Sequence, residues 1–310
     1  MTSRVSVVIP TYNHAQFLGE AIESTLNQDY QPLEVIVVND GSTDDTVTVA
    51  AAFPSVKFVA QANRGLAAAR NAGLAMCRGE FVVFLDADDR LLSGALGTGA
   101  RLLAADPSLG FVAGHSRLVS GDGTPQPTNQ PQRTDGDPYI ALLGGNRIRN
   151  PAMVMFRRQI VELVGGFDSA VNSCADYELY LRISRNHPVA WHDEVVADYR
   201  KHGQNMSDDA RLMLREVCIV LRRQRPYLAT KAHREAFREG LRNSRNYYGN
   251  RLVYQIGARV RKRTGWGRTL GDLLTLLWCH PVKLIEHAAR KLRVLPGASL
   301  TTWGIISIGL

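Results

Sequence analysis

Short apolar runs alternate with segments of helical periodicity through the first part of the chain. The runs are rich in Val, Ile and Phe and end abruptly in polar residues, a pattern typical of strands buried on both faces. Between them, apolar residues recur at helical spacing in residues 17–26 and 66–76. A βαβαβαβ order predicts a mostly parallel sheet with right-handed crossovers and helices on both faces. The four predicted strands are residues 5–9, 35–38, 56–60 and 81–85.

The pattern changes in the second half of the chain. Residues 120–137 are rich in Gly, Pro, Thr, Asn and Gln, which predicts a long polar surface loop. Apolar structure returns at residues 152–156, and a helix is predicted over residues 177–185. Beyond Asp208 the pattern is helical and rich in arginine, so we predict two units, residues 1–208 and a mainly helical region of residues 209–310.

Charge supports this division. The chain of 310 residues has a net charge of +8. Residues 1–208 hold 17 Lys and Arg against 23 Asp and Glu, whereas residues 209–310 hold 20 against 6. Such asymmetry indicates that the second unit faces something anionic, such as a membrane surface or a phosphate-rich substrate.

The cysteines and the N-terminus indicate the compartment. Four cysteines lie far apart without metal-ligand spacing, so we expect reduced thiols in a cytoplasmic protein: Cys77, Cys174, Cys218 and Cys279. The first residues lead directly into a strand pattern, and we expect no signal peptide. No apolar run is long enough to predict a membrane-spanning segment.

Two acids at the end of the fourth predicted strand are the first candidate site. Asp86 and Asp88 lie two residues apart, so their side chains point the same way on an extended segment. In open α/β sheets, ligands bind beyond the carboxyl ends of the strands. Close carboxylates suit Mg²⁺ or Mn²⁺ bridging to a phosphorylated substrate. The alternative is an acidic turn in which Asp86 or Asp89 caps the next helix.

Further polar residues end or follow the neighbouring strands. The first strand runs into Pro10, Thr11 and Tyr12, and the second ends at Asp40. A hydroxyl, an aromatic ring and a carboxylate can hold a sugar and a base, and Arg70 in the next helix suits a diphosphate or a nucleobase carbonyl. Turn chemistry, an N-cap and an exposed helix face are the alternatives. The chain has neither a GxGxxG turn nor a Walker lysine motif, which argues against dinucleotide oxidoreductases and P-loop NTPases.

Taken together, these segments closely resemble the family 2 glycosyltransferases of GT-A fold. The resemblance spans about residues 4–207, and four motifs occur in the right order and spacing: Val-Val-Ile-Pro-Thr-Tyr-Asn, Val-Asn-Asp-Gly-Ser-Thr-Asp, Asn-Arg-Gly-Leu-Ala-Ala-Ala-Arg-Asn-Ala-Gly and Phe-Leu-Asp-Ala-Asp-Asp. It implies a nucleotide-sugar donor and a catalytic domain over residues 1–208. It also implies that a set of residues surrounds the nucleoside: Pro10, Thr11, Tyr12, Asp40 and Arg70.

The resemblance also assigns the metal ligands. Asp86 would lie near the ribose and the metal, and Asp88 would be the main protein ligand to Mn²⁺ or Mg²⁺ on the diphosphate. The stretch from Tyr199 to Ser207 resembles the family's Tyr-Arg-X-His-X-X-Asn-X-Ser segment. His202 in this stretch is a further candidate for the metal or the diphosphate, because neutral imidazole is a common ligand. A surface or packing role for His202 is the alternative.

Glycosyl transfer also needs a general base for the acceptor hydroxyl. The candidates are Asp168, Asp176 and Glu178. The segment around Asp176 resembles the family sequence Glu-Asp-Tyr-Glu-Leu-Trp-Leu-Arg, whose second acid is the usual base and aligns with Asp176. Ala175 stands where the family has its first acid, which departs from the pattern. Asp176 could also serve as the N-cap of the helix that follows.

The basic C-terminal region has two interpretations. Apolar residues at 270–278 precede further basic residues, which are Lys283, Arg290, Lys291 and Arg293, and the tail at 303–310 is apolar again. This pattern suits an amphipathic helix on an anionic membrane. A helical cap packed on the catalytic domain explains it equally well.

The sequence therefore predicts an inverting, hexosyltransferase-like glycosyltransferase, with a UDP-sugar as the first donor expected and a glycan or lipid-linked acceptor of cell-surface polysaccharide synthesis. It would be cytoplasmic, with peripheral attachment at the inner face of the membrane as an option. Ala175 leaves open a second hypothesis, a non-catalytic nucleotide-sugar or glycan-binding subunit. Nucleic acid is not an expected partner, because no recognised motif and little aromatic interleaving accompany the positive charge.

Overall fold

We describe the fold from a computed structural model, which covers residues 3–127 and 136–280. Its described part holds one eight-stranded sheet with helices around it. The strands are β1 (Val5–Thr11), β2 (Leu33–Asn39), β3 (Lys57–Ala60), β4 (Phe81–Phe84), β5 (Arg90–Leu91), β6 (Phe111–Ser120), β7 (Val154–Arg157) and β8 (Val189–Lys201). The helices are α1 (Ala15–Leu26), α2 (Thr46–Ala51), α3 (Leu66–Met76), α4 (Ala95–Ala105), α5 (Pro138–Leu143), α6 (Arg158–Leu163), α7 (Ala175–Ser184), α8 (Ala210–Arg223), α9 (Lys231–Lys262) and α10 (Trp266–Cys279).

The strand order is β3-β2-β1-β4-β7-β6-β8-β5. The first four strands in this order are parallel, so their carboxyl ends meet at one edge of the sheet. β7 runs antiparallel to both β4 and β6, and β5 runs antiparallel to β8. The predicted α/β class with a mostly parallel sheet is confirmed. The reversal at β7 was not predicted, because a strand's direction leaves no trace in its own apolar pattern.

Both faces of the sheet are covered, which explains the uninterrupted apolar runs. Val8 and Ile36 point into one hydrophobic cluster with residues of α3, α7 and α8. Val7 and Val37 point into a second cluster with residues of α1 and α4. Successive side chains of a strand point to opposite faces, so a strand buried on both sides is apolar at every position.

The predicted helix over residues 177–185 starts earlier, at Ala175. The apolar segment at residues 152–156 is divided between a 3₁₀ turn at Pro151–Met153 and β7. The long strand β8 was not predicted, because its middle carries His, Asp and Glu without alternation. Residues 128–135 of the predicted polar loop lie outside the described residues.

The first helices beyond residue 208 pack on the sheet domain. Leu214 and Val217 of α8 and Phe237 of α9 belong to the same hydrophobic cluster as Val8 of β1. α9 approaches α5 so closely that a side chain at Gly240 would overlap the carbonyl oxygen of Leu143. The packed-cap interpretation therefore describes α8 and α9, and the two predicted units share one core.

Among the described residues, no helix is both long and apolar enough to cross a membrane. The basic residues from Lys283 to Arg293 and the apolar tail at 303–310, which the sequence marked as membrane candidates, lie outside the described part of the chain.

Candidate active site

The ends of β1 and β2 are joined by a network of hydrogen bonds. Asn13 adopts a left-handed conformation with φ of 55°, and its side chain accepts the amide of Thr43 at 2.8 Å. The amide of Asn13 donates to the Ser42 hydroxyl at 3.0 Å. Next to this junction, the Oγ1 atom of buried Thr11 has no hydrogen-bond partner among the described residues, and the Tyr12 side chain is 45% exposed. Thr11 and Tyr12, which follow Pro10 and are predicted to contact the nucleoside, thus offer a buried unpaired hydroxyl and an accessible ring.

Asp40 organises the loop that enters α3. Its side chain is buried and accepts three hydrogen bonds, from the Gln61 side chain at 2.7 Å and from the amides of Arg64 at 2.9 Å and Gly65 at 2.8 Å. The alternative role as an N-cap does not apply, because the residue at the N-cap of α2 is Asp45. Asp40 fixes the position of this loop with its carboxylate at the strand edge.

Arg70 lies at the centre of a charged group and not on an exposed helix face. Its buried guanidinium donates to the Asp86 carboxylate at 2.7 Å and lies 5.3 Å from the centre of the Phe167 ring. Asp176 is an electrostatic neighbour of both charges. Arg70, predicted to contact the nucleoside, and Asp86, predicted to lie near the ribose and the metal, therefore form a direct ion pair.

Asp88 faces a different set of partners. Its Oδ2 atom is 2.9 Å from Nε2 of His202 and accepts from the Asn205 side chain at 3.2 Å. His14 completes the group, and the candidate ligand atoms of His14, Asp88 and His202 all lie within 4.8 Å of one another. The structure thus brings the two candidate metal ligands Asp88 and His202 together, adds His14, and pairs Asp86 with Arg70.

This group has the chemistry of a divalent-metal site. The Nδ1 atoms of His14 and His202 are buried and have no hydrogen-bond partner among the described residues. Burial tends to raise the pKa of Asp88, but the hydrogen bond from His202 and the charge of His14 outweigh burial and lower it. An ionised carboxylate beside two imidazoles suits Mn²⁺ better than Mg²⁺, which prefers oxygen ligands. Sequence reasoning missed His14, although it directly follows the Pro-Thr-Tyr-Asn motif.

Asp89, which the sequence offered only as a cap, anchors the acidic turn. It is buried, accepts the amide of Arg200 at 2.9 Å and accepts from the Asn150 side chain at 2.7 Å. Arg200 in turn donates to the backbone carbonyl of Asp88 at 2.9 Å. Neither Asp86 nor Asp89 caps the next helix, because α4 begins at Ala95 and its N-cap residue is Gly94. Asp89 and Arg200 instead hold the turn that presents Asp88.

Two of the three candidate bases are engaged in ion pairs. Asp168 pairs with Arg223 at 2.5 Å, and Glu178 pairs with Arg182 one helical turn later. Asp176 accepts the amide of Tyr177 at 2.8 Å. Since Cys174 is the N-cap of α7, Asp176 is a first-turn residue and not the cap.

The surroundings of Asp176 tune its basicity. Desolvation raises the pKa of Asp176, the charge of Arg70 lowers it and the charge of Asp86 raises it, with a net increase. A carboxylate with a raised pKa is a better proton acceptor than an exposed one, and such shifts are common at catalytic sites.

The start of α7 also receives a carboxylate from the C-terminal region. Glu216 of α8 accepts the amides of Ser173 at 2.7 Å and Cys174 at 3.1 Å. Ala175, which replaces the expected acid, is fully buried at the same helix start. Glu216 thus supplies a carboxylate next to Ala175, the position where this sequence lacks the expected acid. No local sequence signal links Glu216 to Ala175.

Residues 6–165 match the model of glycosyl transferase family 2. Chondroitin synthase of Escherichia coli is 30% identical over 212 residues, which are 66% of this chain but only 30% of that protein. Structurally, S. aureus TarS 1-349 in complex with UDP-GlcNAc aligns with a TM-score of 0.65 and 20% identity over 90% of this chain and 82% of the other. Mannosyltransferase PcManGT from Pyrobaculum calidifontis, in complex with GDP-Man and Mn²⁺, aligns with a TM-score of 0.60 and 22% identity over 94% and 88% of the two chains.

These likenesses establish family and fold. The two structural neighbours have the GT-A glycosyltransferase fold, and at these identities they inform on the fold alone. The family model covers more than half of the chain and all the strand ends described above except that of β8. The chain therefore belongs to glycosyl transferase family 2.

Proposed function

We propose that this protein is an inverting glycosyltransferase that moves a sugar from a nucleotide diphosphate to a hydroxyl group of a glycan or lipid-linked acceptor in polysaccharide synthesis. The observation that carries the proposal is the meeting of two carboxylate systems at one edge of the sheet: Asp88 with two imidazoles, and Asp176 beside the Arg70–Asp86 pair. The first system suits a metal diphosphate, and the second suits proton removal.

The donor would lie across the ends of β1, β2 and β4. The exposed ring of Tyr12 offers a stacking surface for a base, and the unpaired hydroxyl of Thr11 offers a polar contact. Asp40 shapes the neighbouring loop. A UDP-sugar is our first choice of donor, because TarS, which has the same fold, binds UDP-GlcNAc. PcManGT, by contrast, binds GDP-Man.

Asp88, His202 and His14 would hold a divalent ion, with Mn²⁺ preferred. Such an ion, when bound, acts as a Lewis acid that stabilises the charge of the leaving diphosphate. The protein's own part is to hold the three side chains in place. Phe17 packs against His202 with ring centres 4.9 Å apart, and Asn205 donates to Asp88.

Asp176 would act as the base. As the acceptor oxygen forms its bond to the anomeric carbon, its proton would pass to the Asp176 carboxylate, and the bond from that carbon to the diphosphate oxygen would break. A single displacement of this kind inverts the anomeric centre. Arg70 would oppose the effect of burial and favour the ionised form of Asp176, because a nearby cation lowers the pKa of a carboxyl.

Buried reduced cysteines support a cytoplasmic location, where nucleotide sugars are available. Cys77, Cys174, Cys218 and Cys279 are all buried and free, and this usage is typical of reducing compartments.

Transfer assays with a panel of nucleotide sugars would test the function. The wild type with Mn²⁺ is expected to release nucleoside diphosphate, and EDTA or Asp88→Asn is expected to reduce the rate by about 100-fold or more. Arg101→Gln, whose side chain is exposed on α4, is a control that should stay within a few-fold of wild type. Full transfer in EDTA, unaffected by Asp88→Asn, would overturn the metal-assisted mechanism.

The non-catalytic alternative rests on Ala175. It requires that donor binding persists while no sugar is transferred to any acceptor, and that Asp176→Asn leaves biological function intact. A variant that binds donor normally but loses the biological function would reject this alternative.

A further inference from the structure

The last described helix, α10, has one face packed on the protein and one face open. Its buried residues, Thr269, Asp272, Leu276 and Cys279, contact α8 and α9. Its open face carries five large apolar side chains that are each 51–61% exposed: Trp266, Leu270, Leu274, Leu277 and Trp278. At 100° per residue these five positions fall within an arc of roughly 120°. A stripe of this kind on a surface helix marks an interaction site.

The ends of the apolar stripe are basic. Arg261, Lys262 and Arg263 are exposed directly before α10, and at the other end the Arg222 guanidinium lies 4.2 Å from the centre of the Trp278 ring. The one acidic residue of α10, Asp272, is buried and paired with Arg259. No acidic side chain of α10 therefore offsets the positive charge around the stripe.

We propose that α10 docks this protein onto an anionic membrane surface, with its axis in the plane of the interface. The helix has 14 residues, or about 21 Å, which is too short to cross a hydrocarbon core of about 30 Å. A helix with Leu and Trp on one face and basic residues beside it inserts the apolar face among the headgroups. Tryptophan rings at both ends suit the boundary between lipid and water.

The charge distribution favours lipid over a second copy of this chain as the occupant. In a symmetric dimer through the stripe, the cluster at residues 261–263 would face a second copy of itself if the helices ran parallel, and a second copy of Arg222 if they ran antiparallel. Neither arrangement provides an acidic partner on α10, and like charges repel. An anionic bilayer neutralises the same cluster, and each basic residue near its surface strengthens binding.

This docking goes beyond the proposed function, because it does not depend on the chemistry at Asp176. It would nevertheless place the enzyme where lipid-linked acceptors are found. α10 packs on α8, and Glu216 of α8 caps the turn that leads into Asp176. The lipid-facing helix is thus joined by direct contacts to the helix start that carries the candidate base.

Vesicle sedimentation of the full chain tests the proposal. The wild type is expected to bind vesicles of phosphatidylcholine with phosphatidylglycerol at least about tenfold more tightly than phosphatidylcholine alone. The double variant Leu274→Glu/Leu277→Glu should lose at least about tenfold in binding to the anionic vesicles. The matched control is Leu163→Glu at the end of a different helix, α6, where the side chain is 73% exposed, and this variant should bind like wild type.

Two companion measurements keep the outcome unambiguous. Circular dichroism and donor hydrolysis in solution should be unchanged in the Leu274→Glu/Leu277→Glu variant, so a failure of docking is distinguishable from a failure of the catalytic proposal. Arg261→Ala/Lys262→Ala/Arg263→Ala should weaken binding to anionic vesicles and reduce its salt dependence. Absence of wild-type binding to anionic vesicles, or equal losses in the Leu163→Glu control, would overturn the proposal. So would a wild-type dimer that the double variant dissociates without any effect on lipid binding.

Discussion

Replacing Arg70 by methionine removes the cation that lies between Asp86 and Asp176 while keeping an unbranched side chain of similar length. The Arg70 side chain is 3% exposed and that of Asp86 is 26% exposed. Removing one partner of a buried ion pair costs about 3–5 kcal/mol, because the other charge stays buried without compensation. Since Asp86 keeps some contact with solvent, we expect a loss near the lower end, about 3 kcal/mol of unfolding free energy at pH 7.5.

The pH dependence of this loss distinguishes electrostatics from packing. Without Arg70, the pKa of Asp176 should rise further above its unfolded value, because burial and the charge of Asp86 then act on it without the opposing cation. A carboxylate whose pKa is higher in the folded state than in the unfolded state stabilises the fold at pH values below its unfolded-state pKa. This stabilisation is lost as the pH rises through the folded-state pKa. The deficit of Arg70→Met should therefore shrink by about 1 kcal/mol or more between pH 7.5 and pH 5.

Urea unfolding at several pH values measures this deficit. Arg64→Met is a matched control in the same segment, because Arg64 is exposed and should change stability by less than about 0.5 kcal/mol. Adding Asp86→Asn to Arg70→Met should restore part of the stability at pH 7.5. A deficit independent of pH, or no recovery in the double variant, would refute the electrostatic account of this site.

Three further predictions follow from individual contacts. Because burial raises the pKa of Asp176, the midpoint of the acid limb in a plot of kcat/KM against pH should lie above 3.8, the ordinary pKa of an aspartate. The same limb should be absent from the pH profile of the residual activity of Asp176→Asn. Burial tends to raise the pKa of Glu34, but hydrogen bonds, first of all the one from Lys57, outweigh burial and lower this pKa to about 2, so the stability that Glu34 contributes is lost as the pH falls. Glu34→Gln should therefore lower the free energy of unfolding by at most about 3 kcal/mol at pH 7. In urea titrations the difference in unfolding free energy from wild type should narrow between pH 5 and pH 3. Gly240→Ala should destabilise the packing of α9 on α5 by about 1–3 kcal/mol and make α9 the first helix to be cut by a protease. Gly257→Ala in the same helix, where the added methyl group would have no neighbour within 4 Å, should be neutral or stabilising. Equal effects of the two substitutions would contradict the close approach of α9 to α5.

The strand edge of the site was predictable because its signals are local. Each short apolar run ends in the polar residues that face the crevice, so Thr11, Asp40, Asp86 and Asp88 could be assigned to one edge from the order of elements alone. Family resemblance added Asp176 and His202, which no periodicity identifies. The confirmed fold follows from the same alternation of apolar runs and helical segments.

The pairings within the site were not predictable, because they join distant parts of the chain. His14 lies 74 residues from Asp88 and 188 residues from His202, and its place directly after the Pro-Thr-Tyr-Asn motif does not by itself identify a ligand. The Arg70–Asp86 pair and the capping of α7 by Glu216 likewise depend on how helices settle on the sheet. A one-dimensional pattern records which face a residue occupies and not which side chain it meets there.

Sugar transfer by Asp176→Asn decides whether this carboxylate removes the acceptor proton. Donor affinity and transfer rate would be measured on the same preparation, with Mn²⁺ and the nucleotide sugar that the wild type uses. The substitution keeps the size of the side chain and removes its ability to accept a proton. We therefore expect donor binding within a few-fold of wild type and a transfer rate reduced by about 100-fold or more. A transfer rate equal to that of wild type would contradict the assignment of Asp176 as the base.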